Sequence, residues 1–234
     1  MKKIIPIVVL SFVFLTGCGE DSDIGQIIQE RQEASFEESV TSWLSDLSAY
    51  QAVANVTYIS NKNVNEYVIN HVATAEGQYF IEVTRPEHVA GSVTVSNSQY
   101  IFQAHRGLNY RLDLGNVDEN ETKERTSLLL TNFAAAFLAS DQISITKVED
   151  IATLTVVIDS GNSYINSLSL VVTNDFQPIS LTTFDINNNQ RIIVEYLEFV
   201  SNPNIDTSIF EIESDQAISD DNDQDDDVDD SDEN

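Results

Sequence analysis

Three histidines, one cysteine and 39 acidic residues are the groups from which this 234-residue chain could build a reactive site. His71, His88 and His105 fall on or beside three different strand-like segments, and no two have the spacing of zinc ligands on one helix. Each reads as a surface or hydrogen-bonded histidine, so neither a metal nor a cofactor is expected. Glu82 and Glu195 stand inside alternating segments and are the carboxylates best placed to face a cavity. Glycan cleavage needs two carboxylates held a few ångström apart, and nothing in the spacing brings a pair together. The chain has no G-x-S-x-G elbow, no H-E-x-x-H and no glycine-rich phosphate loop, and its eight glycines leave little material for one. At the C-terminus, Asp221, Asp223 and Asp225 alternate as in an EF-hand loop. The sixth position of such a loop needs Gly and is Asp226 here, and the twelfth, normally Glu, is Asp232. An EF-hand is excluded, and only diffuse cation attraction remains. No catalytic residue is assigned, and the expectation is a binding protein.

The single cysteine has a different chemistry. Lys2 and Lys3 precede the apolar run Ile4–Leu15, and Leu15-Thr16-Gly17-Cys18 follows. Charges, a short apolar core, small residues and then Cys are the layout of a bacterial lipobox, in which cleavage falls between Gly17 and Cys18 and the thiol is lipidated. Twelve apolar residues are too few to span a bilayer, which takes ~20 in a helix. Two or more acyl chains hold a protein stably to a membrane without a spanning segment. The expected location is therefore the extracytoplasmic face of a cell membrane, or an outer membrane where the cell has two. With Cys18 as the only cysteine, the exported chain forms no internal disulfide.

Charge narrows the partners. The chain has 39 acidic and 11 basic residues, and 11 of the acids lie from Asp215 onward with no base among them. So acidic a chain is unsuited to nucleic acid or to anionic lipid headgroups. The tail, residues 215–234, cannot bury enough apolar surface to fold and reads as disordered.

The remaining elements must supply a scaffold. Residues 18–34 form a polar tether and the start of a helix that runs from about Gln26 to Leu47. Phe36, Val40, Trp43, Leu44 and Leu47 make its apolar stripe. From Tyr50 to Gly91 three strands alternate, separated by Asn61-Lys62-Asn63 and Glu76-Gly77 and stopped by Pro86. Three shorter strands follow, at Ser92–Ser96, Tyr100–Ala104 and Asn109–Leu112. An apolar helix then starts near Glu121 and continues through Ser140. Five more strands run through Ile143–Val148, Ile151–Asp159, Tyr164–Thr173, Ile179–Asp185 and Arg191–Val200. Short turns require antiparallel pairing. About eleven strands exceed a small flat sheet, so the sheet should curl strongly.

A curled sheet with one apolar face either packs solid under its helices or keeps a pocket. The strand residues on that face are Val56, Tyr58, Tyr79, Ile81, Val83, Leu168 and Leu170, and the second helix adds Leu129, Phe133 and Phe137. Pattern alone leaves both outcomes open for all ten.

The order of elements, a helix, six strands, an apolar helix and five strands, resembles the LolA/LolB lipoprotein-carrier superfamily. The residues that carry the likeness are Leu47-Ser48-Ala49-Tyr50, the strands around Tyr58 and Tyr67, Gly77 to Val83, Pro86 with Gly91, and Asp206 to Phe210. The turn Tyr58-Ile59-Ser60-Asn61-Lys62, together with the lipobox, is most similar to clostridial germination lipoproteins of the GerS type. The resemblance implies a mainly β (α+β) domain over residues 35–214, a half-open barrel with both helices on its concave face. It also implies a non-enzymatic lipoprotein that binds a cell-wall amidase in spore-cortex modification and germination. The alternative it implies is a carrier or acceptor of acyl chains in the concave cavity.

Overall fold

The structure is a computed structural model that describes residues 36–108, 110–116, 126–158 and 164–211. Gly17 and Cys18, the tether, the helix from Gln26 to residue 35, the expected helix start at Glu121 and the acidic tail lie outside the described residues. The chain divides into two compact units, residues 1–42 and 43–234. In the first, residues 36–42 are helical, and this helix, α1 (36–45), ends in the second unit.

The second unit is built on one antiparallel sheet of eleven strands. In chain order these are β1 (Ala49–Ile59), β2 (Val64–Thr74), β3 (Gln78–Arg85), β4 (Ser92–Asn97), β5 (Tyr100–His105) and β6 (Tyr110–Asn116), then β7 (Ile143–Val148), β8 (Ile151–Val157), β9 (Ser167–Thr173), β10 (Pro178–Phe184) and β11 (Gln190–Ser201). Helix α2 (Leu130–Ala139) separates the two runs. The spatial order is β6-β5-β4-β3-β2-β1-β11-β10-β9-β8-β7, so two meanders meet where β1 pairs with β11. The edge strands β6 and β7 do not pair, and the curled sheet stays a half-open barrel. Side chains alternate between faces with period two, and the burial of β1 and β9 follows that alternation.

Turn chemistry sets the register. Gly77 (φ +86°) takes the left-handed conformation in the β2–β3 turn, where a side chain would be strained. Gly91 (φ +87°) does the same after Pro86 stops β3, and a Cβ there would lie 3.4 Å from the His105 ring. Asn202 (φ +49°), just past the end of β11, ties that end to the start of β1. Its Oδ1 accepts from the Ser48 N–H at 2.9 Å, the Ser48 hydroxyl at 3.0 Å and the Ala49 N–H at 3.1 Å. Its Nδ2 donates to the Asp46 carbonyl at 2.9 Å.

The convex face has a core of its own. Val93, Val95 and Phe210 are buried together, with Val72, Phe80, Ile205 and Ile209 against them. Phe210 ends the 3-10 turn Thr207–Phe210, whose start is capped by Asp206 accepting from the Ser208 N–H at 3.0 Å.

Two expectations need correction. The second helix does not run unbroken through Thr126 to Ser140: residues 127–128 form a turn, Leu129 is extended (φ −89°, ψ 130°), and α2 begins at Leu130. That break lets Leu128, Leu129 and Leu130 all be buried, which one helical face would not allow. Tyr164 is not in a strand. It stands exposed in the turn before β9, which starts at Ser167.

Candidate functional site

The concave face presents alternate residues from each strand. β1 contributes Tyr50, Ala52, Ala54, Val56 and Tyr58, and the register sets Tyr67 against Val56, Ile69 against Ala54 and His71 against Ala52. On β3, Val83, Ile81 and Tyr79 follow opposite Ile69, His71 and Ala73. Helix α2 packs against β8 and β2 and covers part of this face. Its Leu130, Phe133, Ala134 and Phe137 are buried, with the two phenylalanine rings stacked 5.7 Å apart. On the β8–β11 side the face is sealed, since Leu154, Val156, Leu168, Leu170, Leu181 and Val194 are all buried.

On the other side the face is open. A cavity of about 750 Å³ is bounded by Tyr58, Asn65, Tyr67, Ile69, Tyr79, Ile81, Val83, Val89, Ser92, Thr94, Gln103, Leu114 and Leu128. This volume lies within the ~300–1,000 Å³ usual for ligand sites. Of the ten residues expected from sequence, Tyr58, Tyr79, Ile81 and Val83 line it. Val56, Leu129, Phe133, Phe137, Leu168 and Leu170 are packed in the core instead. Sequence reasoning missed the polar lining of β2, β4 and β5, namely Asn65, Ser92, Thr94 and Gln103. Period-two alternation was visible on those strands, but which face met the cavity depended on cross-strand register.

Beside the cavity lies a buried polar cluster. The Tyr50 hydroxyl accepts from the Leu130 N–H at 3.2 Å, meeting one of the donors that a helix N-terminus leaves without an intrahelical partner. The same hydroxyl lies 3.3 Å from His71 Nδ1 and donates to it. That assignment follows from the network and leaves the ring proton on Nε2. Nε2 and the Tyr196 hydroxyl are buried without a hydrogen-bond partner among the described residues. Tyr196 stacks on the imidazole at 6.0 Å, and Tyr50 meets it edge-on at 5.2 Å. Burial pushes His71 down to about 3, so the ring is neutral at physiological pH. Burial also raises the Tyr50 and Tyr196 phenols above their ordinary range. These groups neither give nor take a proton near neutrality. Through Tyr50 they tie the start of α2 to β1.

The other sequence candidates do not converge. His88 lies in the exposed 3-10 turn Glu87–Val89, and His105 Nδ1 accepts from the Gly107 N–H at 3.1 Å. Glu82 projects from the face opposite Ile81 and pairs with Arg106 at 3.0 Å. Glu195 is exposed on β11. Among the described residues no group of His, Cys, Asp and Glu is placed to hold a metal, and no helix is long and apolar enough to cross a membrane.

A family model described as sporulation protein YdcC-like matches residues 1–210. No curated protein matches the chain. Among solved structures, one chain in the structure of the complex between the CwlD amidase from Clostridioides difficile and the GerS lipoprotein is 22% identical, with a TM-score of 0.45, covering 73% of this chain and 94% of that one. The lipoprotein LppX of Mycobacterium tuberculosis is 12% identical, with a TM-score of 0.43 over 74% and 99% of the two chains. A LolA superfamily protein from Nitrosomonas europaea is 10% identical, with a TM-score of 0.39 over 71% and 91%.

Proposed function

The chain belongs to the YdcC-like sporulation protein family, and on that premise we propose that it is a lipid-anchored, extracytoplasmic binding protein that acts on a cell-wall amidase during spore-cortex modification. The lipobox at Leu15–Cys18 supports the anchor, and the chemistry of the cavity supports binding in place of catalysis. Among the described residues its lining combines apolar side chains with tyrosine hydroxyls, Asn65, Ser92, Thr94 and Gln103, and includes no carboxylate, cationic side chain or thiol. Such a surface recognises a segment with its own hydrogen-bonding groups, as a loop of a partner protein has.

Affinity capture from sporulating cells tests the reading. The wild-type lipoprotein should recover a cell-wall amidase, and an Ile81→Arg variant, which sets a charge in the cavity, should recover much less. Equal recovery by both proteins removes the cavity from the contact, and recovery of no cell-wall enzyme by either refutes the reading. The Cys18→Ala variant should appear in the soluble fraction.

A second reading is favoured by the size of the cavity. About 750 Å³ with Ile69, Ile81, Val83, Val89, Leu114 and Leu128 in its wall would also admit an acyl chain. Native mass spectrometry distinguishes the two, since an acceptor of acyl chains retains a lipid adduct that Ile81→Arg expels.

A further inference from the structure

A second cavity, about 470 Å³, opens beside the tip of the β1–β2 hairpin. Among the described residues its wall includes Lys62, Arg191 and no acidic residue, although the chain as a whole has 39 acids against 11 bases. We propose that this pocket binds a sugar ring carrying a carboxylate. The site is separate from the tyrosine-lined cavity, and its occupancy does not depend on the amidase reading.

The pocket's parts divide the recognition. Arg191 is held from behind: its Nε donates to Asp185 Oδ2 at 2.9 Å, its Nη2 donates to the same oxygen, and its Nη1 donates to Asn61 Oδ1 at 3.0 Å. Burial works to raise the Asp185 carboxyl, but hydrogen bonds from Asn189, Arg191 and Asn187 outweigh it and hold it at about 2. The Arg191 charge is thus matched, and the edge of its fork that would clamp a phosphate is already occupied. Arg191 acts here as the post that fixes Asn61. Lys62 is different. It stands exposed at the hairpin tip, in a turn tied by Ser60, whose hydroxyl accepts from the Lys62 N–H at 3.3 Å and the Asn63 N–H at 3.0 Å. Its ammonium has no ion-pair partner among the described residues and supplies one unmatched positive charge, which suits a single carboxylate.

The remaining surface suits a pyranose. Ile59, Ile165 and Ile192 with the exposed Tyr164 ring give an apolar wall for the C–H face of a sugar. Asn61 and Asn63 carry amides that match ring hydroxyls or an acetamido group. Thr183, also in the wall, has a buried hydroxyl with no hydrogen-bond partner among the described residues, so the floor has unused polar capacity.

Titration of the full-length protein, purified in detergent, with four probes tests the assignment: N-acetylmuramic acid, glucuronic acid, N-acetylglucosamine and inorganic phosphate. The two acid sugars should bind more tightly than N-acetylglucosamine, and phosphate should bind least. Lys62→Ala should weaken both acid sugars about tenfold, as loss of one charged hydrogen bond implies, and leave N-acetylglucosamine unchanged. Tyr164→Ala should weaken all three sugars. Preference for N-acetylmuramic acid over glucuronic acid would identify a wall-derived ligand, and equal binding would identify a general sugar-acid site. Phosphate binding more tightly than the sugars, or an unchanged response in both variants, overturns the proposal. Both substitutions are at exposed positions, and the circular dichroism of each variant checks that it folds.

Discussion

Replacing His71 with phenylalanine should flatten the dependence of stability on pH between neutrality and moderate acidity. In the unfolded chain the imidazole titrates near ~6.5, whereas in the fold burial pushes it down to about 3. Between those values the unfolded chain takes up a proton that the folded chain refuses. The stability that depends on a neutral ring is therefore complete above about pH 6.5 and is lost as pH falls toward 3. Each pH unit in that window costs about 1.4 kcal/mol, so the loss reaches ~1.4 kcal/mol near pH 5.5 and ~3 kcal/mol near pH 4.5. The variant keeps a flat ring between Tyr50 and Tyr196 and removes the titration. Extra bulk costs it a roughly constant ~1–3 kcal/mol, but the slope is what carries the prediction. Urea unfolding, followed by fluorescence of Trp43 stacked on Phe176 at 5.3 Å, measures both proteins between about pH 7.5 and 4.5. Carboxylates titrate alike in the two and cancel in the difference. Parallel pH profiles, or an imidazole in the folded protein that titrates near its ordinary value by NMR, would refute the assignment of a sealed, neutral His71.

The remaining predictions concern the same scaffold. Tyr50→Phe leaves the Leu130 N–H and His71 Nδ1 without their shared partner, and the cost should be ~2 kcal/mol by chemical denaturation. Phe133→Ala opens a hole in the fully buried contact between α2 and the sheet and should cost ~3–5 kcal/mol, with the midpoint of thermal unfolding falling accordingly. Asn202→Ala removes four hydrogen bonds at an exposed corner and strains a left-handed position. Its cost should be about 2 kcal/mol, with hydrogen exchange accelerated first at Ser48 and Ala49.

Much of the fold was legible because its strands obey a local rule. Short Asn- and Gly-rich turns between alternating segments leave antiparallel neighbours little choice, and β1 to β11 appear where that rule sets them. The errors came where local pattern gave no constraint. The run Leu128-Leu129-Leu130 continues a helical stripe on paper, yet the chain breaks there, with Leu129 extended and all three leucines buried. Tyr164 alternates with its neighbours like a strand residue, yet it lies in a turn.

The candidate site divides along the same line. Alternation put Tyr58, Tyr79, Ile81 and Val83 on one face, and composition removed nucleic acid from the partners. The lipobox and the absence of a catalytic motif were likewise properties of the sequence, because they depend on residues that are neighbours in the chain. Which part of the face is core and which is cavity was decided only in three dimensions. Helix α2 packs against β8 and β2 and leaves a cavity over part of β2 to β5, and no residue's own pattern records where a helix eighty residues away comes to rest. The meeting of Asn61 with Arg191, 130 positions apart, has the same origin: register across β1 and β11 brings the β1–β2 turn to the start of β11.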